Sequence, residues 1–79
     1  MNGFKVYANY QGNSGVAAYK VEGGSIHVQF VRGRIYEYRL SDIGREHFFE
    51  LVRLAESGSG LNSYINKNKD VSKRFSNVY

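Results

Sequence analysis

Residues 16–40 read VAAYKVEGGSIHVQFVRGRIYEYRL. Three runs rich in β-branched and aromatic residues are separated by glycine turns, the pattern of an antiparallel meander. A two-residue loop at Gly23-Gly24 suits a primed hairpin turn, which needs positive φ. That turn sets Val21 opposite Ile26, Tyr19 opposite Val28 and Ala17 opposite Phe30, with all six on one face. The second turn tests the first. A two-residue loop at Arg32-Gly33 would put Val28 opposite Glu37 and mix apolar and charged faces. A three-residue loop over Val31, Arg32 and Gly33 restores parity, with Gly33 as the left-handed residue of a bulged turn. Val28 then faces Tyr36, Ile26 faces Tyr38, and His27 faces Glu37 on the other side.

Upstream, MNGFKVYANY (residues 1–10) alternates Phe4, Val6, Ala8 and Tyr10 against Lys5, Tyr7 and Asn9, the pattern of a fourth strand at the sheet edge. QGNSG (11–15) follows as a loop. Downstream, Ser41 or Asp42 is suited to cap a helix that begins at Ile43. On its wheel Ile43, His47, Phe48, Leu51, Val52, Leu54 and Ala55 form one arc, with Gly44 inside it, where the helix could approach the sheet closely. Arg45, Glu46, Glu50, Arg53 and Glu56 form the solvated arc. This helix is expected to lie across the Tyr36/Tyr38 side of the sheet, which makes those tyrosines packing residues rather than a displayed stacking surface. Phe49 falls among the charged residues. Either the C-terminal segment folds back over it or it marks a partner surface.

SGSG (57–60) ends the helix, with Gly58 placed for a left-handed cap. Leu61, Tyr64 and Ile65 have the spacing of a short second helix. In the last segment Val71, Phe75 and Val78 are spaced for one apolar stripe, and Asp70 could cap a last turn. The fold expected is α+β: an antiparallel three- to four-stranded meander sheet, one main helix packed on one face, and a short C-terminal helical segment.

Seventy-nine residues make one domain, expected over 1–79, which buries only about 60–65% of its unfolded surface. Without cysteine it has neither a disulfide staple nor a zinc thiolate cluster, so homodimerisation, for instance through edge strands, is one way to gain burial. No apolar run approaches the ~18 residues of a membrane span, and Met1-Asn2-Gly3 does not begin a signal peptide, so a cytoplasmic protein is the default expectation. The net charge of +4 is uneven: residues 1–31 carry +1, 32–45 carry +2, 46–56 carry −2 and 57–79 carry +3. That distribution favours an anionic partner.

Catalysis finds little support in these residues. His27 and His47 belong to different elements on opposite sides of the sheet, which gives no metal-ligand spacing and no catalytic pair. No cofactor or metal is expected. SGSGLN (57–62) resembles a phosphate cradle only in its backbone, since it lacks the Gly-Lys-Ser/Thr ending of a P-loop. The open sheet face offers Lys20, His27, Gln29, Glu37 and Arg39 but no strand aromatic, which disfavours base stacking there. A composite basic rim is the better candidate: Arg32, Arg34, Lys67, Lys69, Lys73 and Arg74, with Tyr64 or Tyr79 available to stack on RNA.

The order VAAYKV…IHVQF…G…IYEY…LVRLA…SG…LN…I resembles the KTSC domain family over about residues 14–66, leaving 67–79 as a basic C-terminal extension. Its most distinctive element is the Tyr-x-Tyr of Tyr36 and Tyr38, preceded by Phe30 and Gly33. Gly58, Asn62 and Ile65 match downstream. The chain departs from the family pattern in RLSDIG (39–44), which has no proline, and at Gly60, where an aromatic is common. KTSC domains occur C-terminally on some lysyl-tRNA synthetases and alone in small bacterial and phage proteins. The resemblance implies a non-enzymatic module whose suggested role is RNA binding, and it carries over no catalytic residue. The rival expectation is a protein-interaction module, a phage or mobile-element factor acting on a host protein through Phe49, an edge strand or the tail.

Overall fold

Gly23 and Gly33 turn the chain back on itself as their freedom at positive φ requires, at 60° and 98°. The computed structural model describes residues 3–10, 12 and 15–79. Met1 and Asn2 of the expected first strand, and Gln11, Asn13 and Ser14 of the expected loop, lie outside the described residues. The strands are β1 (Lys5–Val6), β2 (Val16–Glu22), β3 (Ser25–Phe30), β4 (Ile35–Arg39) and β5 (Asn77–Val78). Between β4 and β5 come helices α1 (Leu40–Ile43), α2 (Arg45–Ser57), α3 (Leu61–Lys67) and α4 (Lys69–Ser72). The fold is α+β, with an antiparallel sheet of order β1-β2-β3-β4-β5 among the described residues.

The central registers follow from parity. Val21 pairs with Ile26 and Tyr19 with Val28, while Ile26 pairs with Tyr38, His27 with Glu37 and Val28 with Tyr36. Gly33 closes the three-residue loop by donating its N–H to the Phe30 carbonyl at 2.8 Å. One pairing differs from expectation. Phe30 faces Val16 rather than Ala17, because a bulge between Val16 and Ala18 inserts an extra residue. The bulge turns the larger valine into the core, where it is 1% exposed. The Ala17 carbonyl is left to accept from Tyr7 N–H at 3.0 Å.

Along the outer side of β2, next to the bulge, the first strand lasts two residues. The fourth strand expected from the alternation over residues 1–10 is thus present at the edge but short, and the alternation does not carry through it: Val6 and Tyr10 are exposed and Tyr7 is buried. After Val6 the chain leaves the sheet. Tyr7 then enters the core with its hydroxyl accepting the Leu61 N–H at 3.3 Å, at the start of α3. A tyrosine ring can be buried in this way because its polar tip has a partner.

Gly44 has φ 88° and ψ 161°, which no helix accommodates, so it divides the expected helix into α1 and α2. The proposed caps are therefore corrected. Ser41 and Asp42 sit inside α1, and Asp42 accepts a hydrogen bond from Ser76 instead of capping. α2 starts on the Gly44 carbonyl, which accepts from Phe48 N–H at 3.0 Å, and Gly44 makes no close approach to the sheet. Gly58 ends α2 in the left-handed conformation expected of it, its N–H bonded to the Leu54 carbonyl.

The core gathers on one side of the sheet. Tyr19, Ile26, Val28 and Tyr38 pack with Ile43, Phe48, Leu51 and Ala55, and with Leu61, Ile65 and Val71 from α3 and α4. Tyr38 is 2% exposed, whereas Tyr36 is only partly covered.

The tail does not continue as a helical stripe. Only Val71 of Val71, Phe75 and Val78 is buried, and the chain after α4 returns to the sheet as β5. This pairing satisfies backbone groups along β4 that would otherwise be an open edge: Ser76 N–H donates to the Glu37 carbonyl at 2.7 Å, and Ile35 and Tyr79 exchange bonds at 2.7 and 3.3 Å. For the same reason the tail does not cover Phe49. That expectation is corrected, since the ring is 56% exposed.

Candidate functional site

Where the helices stop short of the β3–β4 hairpin they leave a groove of about 660 Å³. This lies within the ~300–1,000 Å³ span of clefts that hold small ligands. The hairpin supplies Phe30, Val31, Arg32, Arg34 and Tyr36, and the facing wall supplies Asn62, Ile65 and Asn66 of α3 with Ser72 of α4. Strand alternation explains the sheet side: Tyr36 and Tyr38 share one face, and Phe30 meets Tyr36 edge-on with ring centroids 5.4 Å apart. Tyr36 lies nearly parallel to Tyr38, at 17° and 6.5 Å, and Phe75 meets it from the tail at 5.1 Å. Burial, then the neighbouring Tyr36, pushes the Tyr38 phenol up to about 12, so it stays protonated at any ordinary pH. The groove thus has an aromatic base, two exposed guanidinium groups and two side-chain amides.

The expected basic rim is only partly assembled. Arg32 and Arg34 line the groove, whereas Lys67, Lys69, Lys73 and Arg74 are exposed on α3, on α4 and just beyond, outside the groove lining. Tyr64 is not in it either. Its hydroxyl shares a 2.8 Å hydrogen bond with His47 Nδ1 across the α2–α3 contact, and burial, Glu50 and Glu46 raise its pKa. Phe49 lies apart, in a shallow depression of about 440 Å³ with Arg45 and Glu46.

The opposite sheet face has no aromatic from its strands, as expected, but Phe4 and Tyr79, just outside β1 and β5, bring rings to it. His27 contacts Phe4 at 6.4 Å and Tyr79 at 6.0 Å, and the Lys20 ammonium lies 5.3 Å from the Phe4 ring. Beneath Tyr79 sits Glu37, 5% exposed. Its Oε1 accepts from Asn77 Nδ2 at 3.0 Å and the Tyr79 hydroxyl at 2.9 Å; its Oε2 accepts from Ser25 Oγ at 2.9 Å and Arg39 Nε at 3.0 Å. The Asn77 bond first, then those from Arg39, Tyr79 and Ser25, outweigh burial and hold the Glu37 carboxyl at about 2. His27 Nδ1 is buried without a hydrogen-bond partner among the described residues, and Nε2 lies 4.0 Å from Glu37 Oε1. This cluster fastens β5 to the sheet.

Neither the Glu37 cluster nor Asn66 is foreseeable from local pattern. Asn62 and Asn66 do share one face of a helix by their i, i+4 spacing, the one signal in the sequence that could have paired them. Among the described residues no group of three or more His, Cys, Asp or Glu side chains is arranged to hold a metal ion, and no helix is long and apolar enough to cross a membrane. Compared with protein-family models, curated proteins and solved structures, the chain matches none.

Proposed function

We propose that the protein is a non-enzymatic, KTSC-like binding module that takes single-stranded RNA through the groove beside the β3–β4 hairpin. The observation that carries this reading is the juxtaposition of Phe30 and Tyr36 with Arg32 and Arg34 in one open groove. Aromatic faces stack on any unpaired base, and guanidinium groups pair with phosphate. The uneven +4 charge adds long-range attraction, with Lys67, Lys69, Lys73 and Arg74 on neighbouring exposed surface. A binding rather than catalytic role fits the histidines, since His47 is tied to Tyr64 and His27 is packed between Phe4 and Tyr79.

Fluorescence anisotropy with a labelled single-stranded RNA, titrated over salt, tests this. Affinity should fall as salt rises, with a log–log slope of about 0.7 per phosphate contact, and Arg32→Glu with Arg34→Glu should weaken binding and flatten the slope. No binding at low salt, or binding indifferent to both reversals, would overturn it. The exposed Phe49 ring supports a second reading, a contact for a protein partner. Phe49→Asp should then abolish partner capture from host extract while RNA binding persists. Unchanged capture removes that reading.

A further inference from the structure

The groove's two walls differ in chemistry, and the difference bears on which base could enter. On the sheet side the surface is aromatic: Phe30 and Tyr36 set at 89° to each other, with Tyr36 backed by Tyr38. On the helix side Asn62 and Asn66 stand one turn apart, with the 3% exposed Ile65 between them in sequence. No hydrogen bond within the described residues occupies either amide, although the Asn68 amide just beyond α3 donates to the Tyr64 carbonyl. Two unengaged amides facing an aromatic surface, with guanidinium groups at the groove edge, make an arrangement that could read a base and hold its phosphate.

We infer that the groove selects adenine, with the base packed on Phe30 and Tyr36, its edge read by Asn62 and Asn66, and the adjoining phosphate held by Arg32 and Arg34. The inference rests on the RNA-binding reading above and sharpens it. Two independent filters lead to adenine. With the rings at 89°, a base stacks on one and meets the other with its edge, and the larger purine covers more of that surface than a pyrimidine does. Among purines the amide decides. On the Hoogsteen edge, the one we assign to the amides, it places one donor beside one acceptor, which matches the N6 amine and N7 of adenine, whereas guanine and hypoxanthine present two acceptors there, O6 and N7. Arg32 and Arg34 are exposed on and beside the hairpin turn, at the groove edge, a position suited to the backbone rather than to the base. Asn62 is the less exposed amide and lies closest to Gly15, where a Cβ would come within 3.4 Å of its Nδ2, so it is the more confined of the two readers.

The test uses the whole chain with four labelled single-stranded eight-nucleotide RNAs: all-adenosine, all-inosine, all-cytidine and all-uridine. Inosine keeps the purine rings and replaces the amine with an oxygen, so the adenosine-to-inosine ratio isolates the amide contact from stacking. Adenosine should bind about tenfold tighter than inosine, within the usual discrimination of a bidentate amide. In Asn62→Asp, which cannot donate to N7, that ratio should collapse toward one. A heteronuclear NMR titration of the unmodified protein supplies a readout independent of any variant's folding: oligoadenosine should shift the side-chain NH2 signals of Asn62 and Asn66. Equal affinity for all four RNAs, a preference for another base, or unmoved Asn62 and Asn66 signals would overturn adenine selection while leaving RNA binding standing. Absence of binding to all four at low salt would overturn both.

Discussion

Glu37 shows how one residue can be a liability and a fastener at once. A carboxylate on a sheet face 5% exposed would be costly if unpaired, yet hydrogen bonds from Ser25, Arg39, Asn77 and Tyr79 occupy both oxygens. Its pKa is lowered from 4.5 to about 2, led by the Asn77 bond. Because the folded value lies below the unfolded one, the stabilisation is complete above about pH 4.5 and drains away as pH falls toward 2. The shift corresponds to on the order of 3 kcal/mol. Urea unfolding at pH 6 and at pH 2.5 should therefore show wild type losing about 2 kcal/mol more than Glu37→Gln over the same interval. Parallel losses would mean that the four bonds do not favour the anion.

At the scale of elements, Gly58 joins the end of α2 to the segment after β1. A Cβ there would fall 2.5 Å from the Ala8 Cβ, and its φ of 78° is one that L side chains rarely adopt. Gly60 offers the matched control: φ 87°, ψ −2°, and an ordinary 3.5 Å approach to Leu54 Cδ2. Thermal or urea melts should show Gly60→Ala costing about 1 kcal/mol, from the backbone alone. Gly58→Ala should cost about 2–4 kcal/mol, since overpacking adds to the same strain. Equal losses would mean that Ala8 can yield. The elements also differ in how legible they are. β2, β3 and β4 could be paired in advance because two turns with independent parities had to agree on one buried face. The bulge at Ala17 was hidden because Val16 and Ala17 are both apolar and either satisfies the pattern. β5 was hidden for a different reason: its partner strand lies about 40 residues upstream, with no hairpin turn to announce it. The spacing of Val71, Phe75 and Val78 imitates a helix meanwhile. In the groove, the arginines were visible as charge, but Asn62 and Asn66 acquire meaning only once α3 is placed opposite Phe30 and Tyr36.

For the whole molecule, one side of the sheet is closed over a core and the other is held by a polar cluster, so the groove is left at the end where helices and hairpin diverge. That placement keeps binding residues out of the packed interior. Phe30 and Tyr36 contribute partly covered rings, while Ile26, Val28, Leu51 and Leu61 carry the burial. The strand order has a mechanical corollary. Sequence order and spatial order coincide, so the first and last strands occupy opposite borders of the sheet, each attached by a two-residue ladder. Tension applied to the two termini would load those ladders one bond at a time instead of shearing them together. The borders would peel away first, and the three middle strands with their helical cover would yield afterwards as one unit.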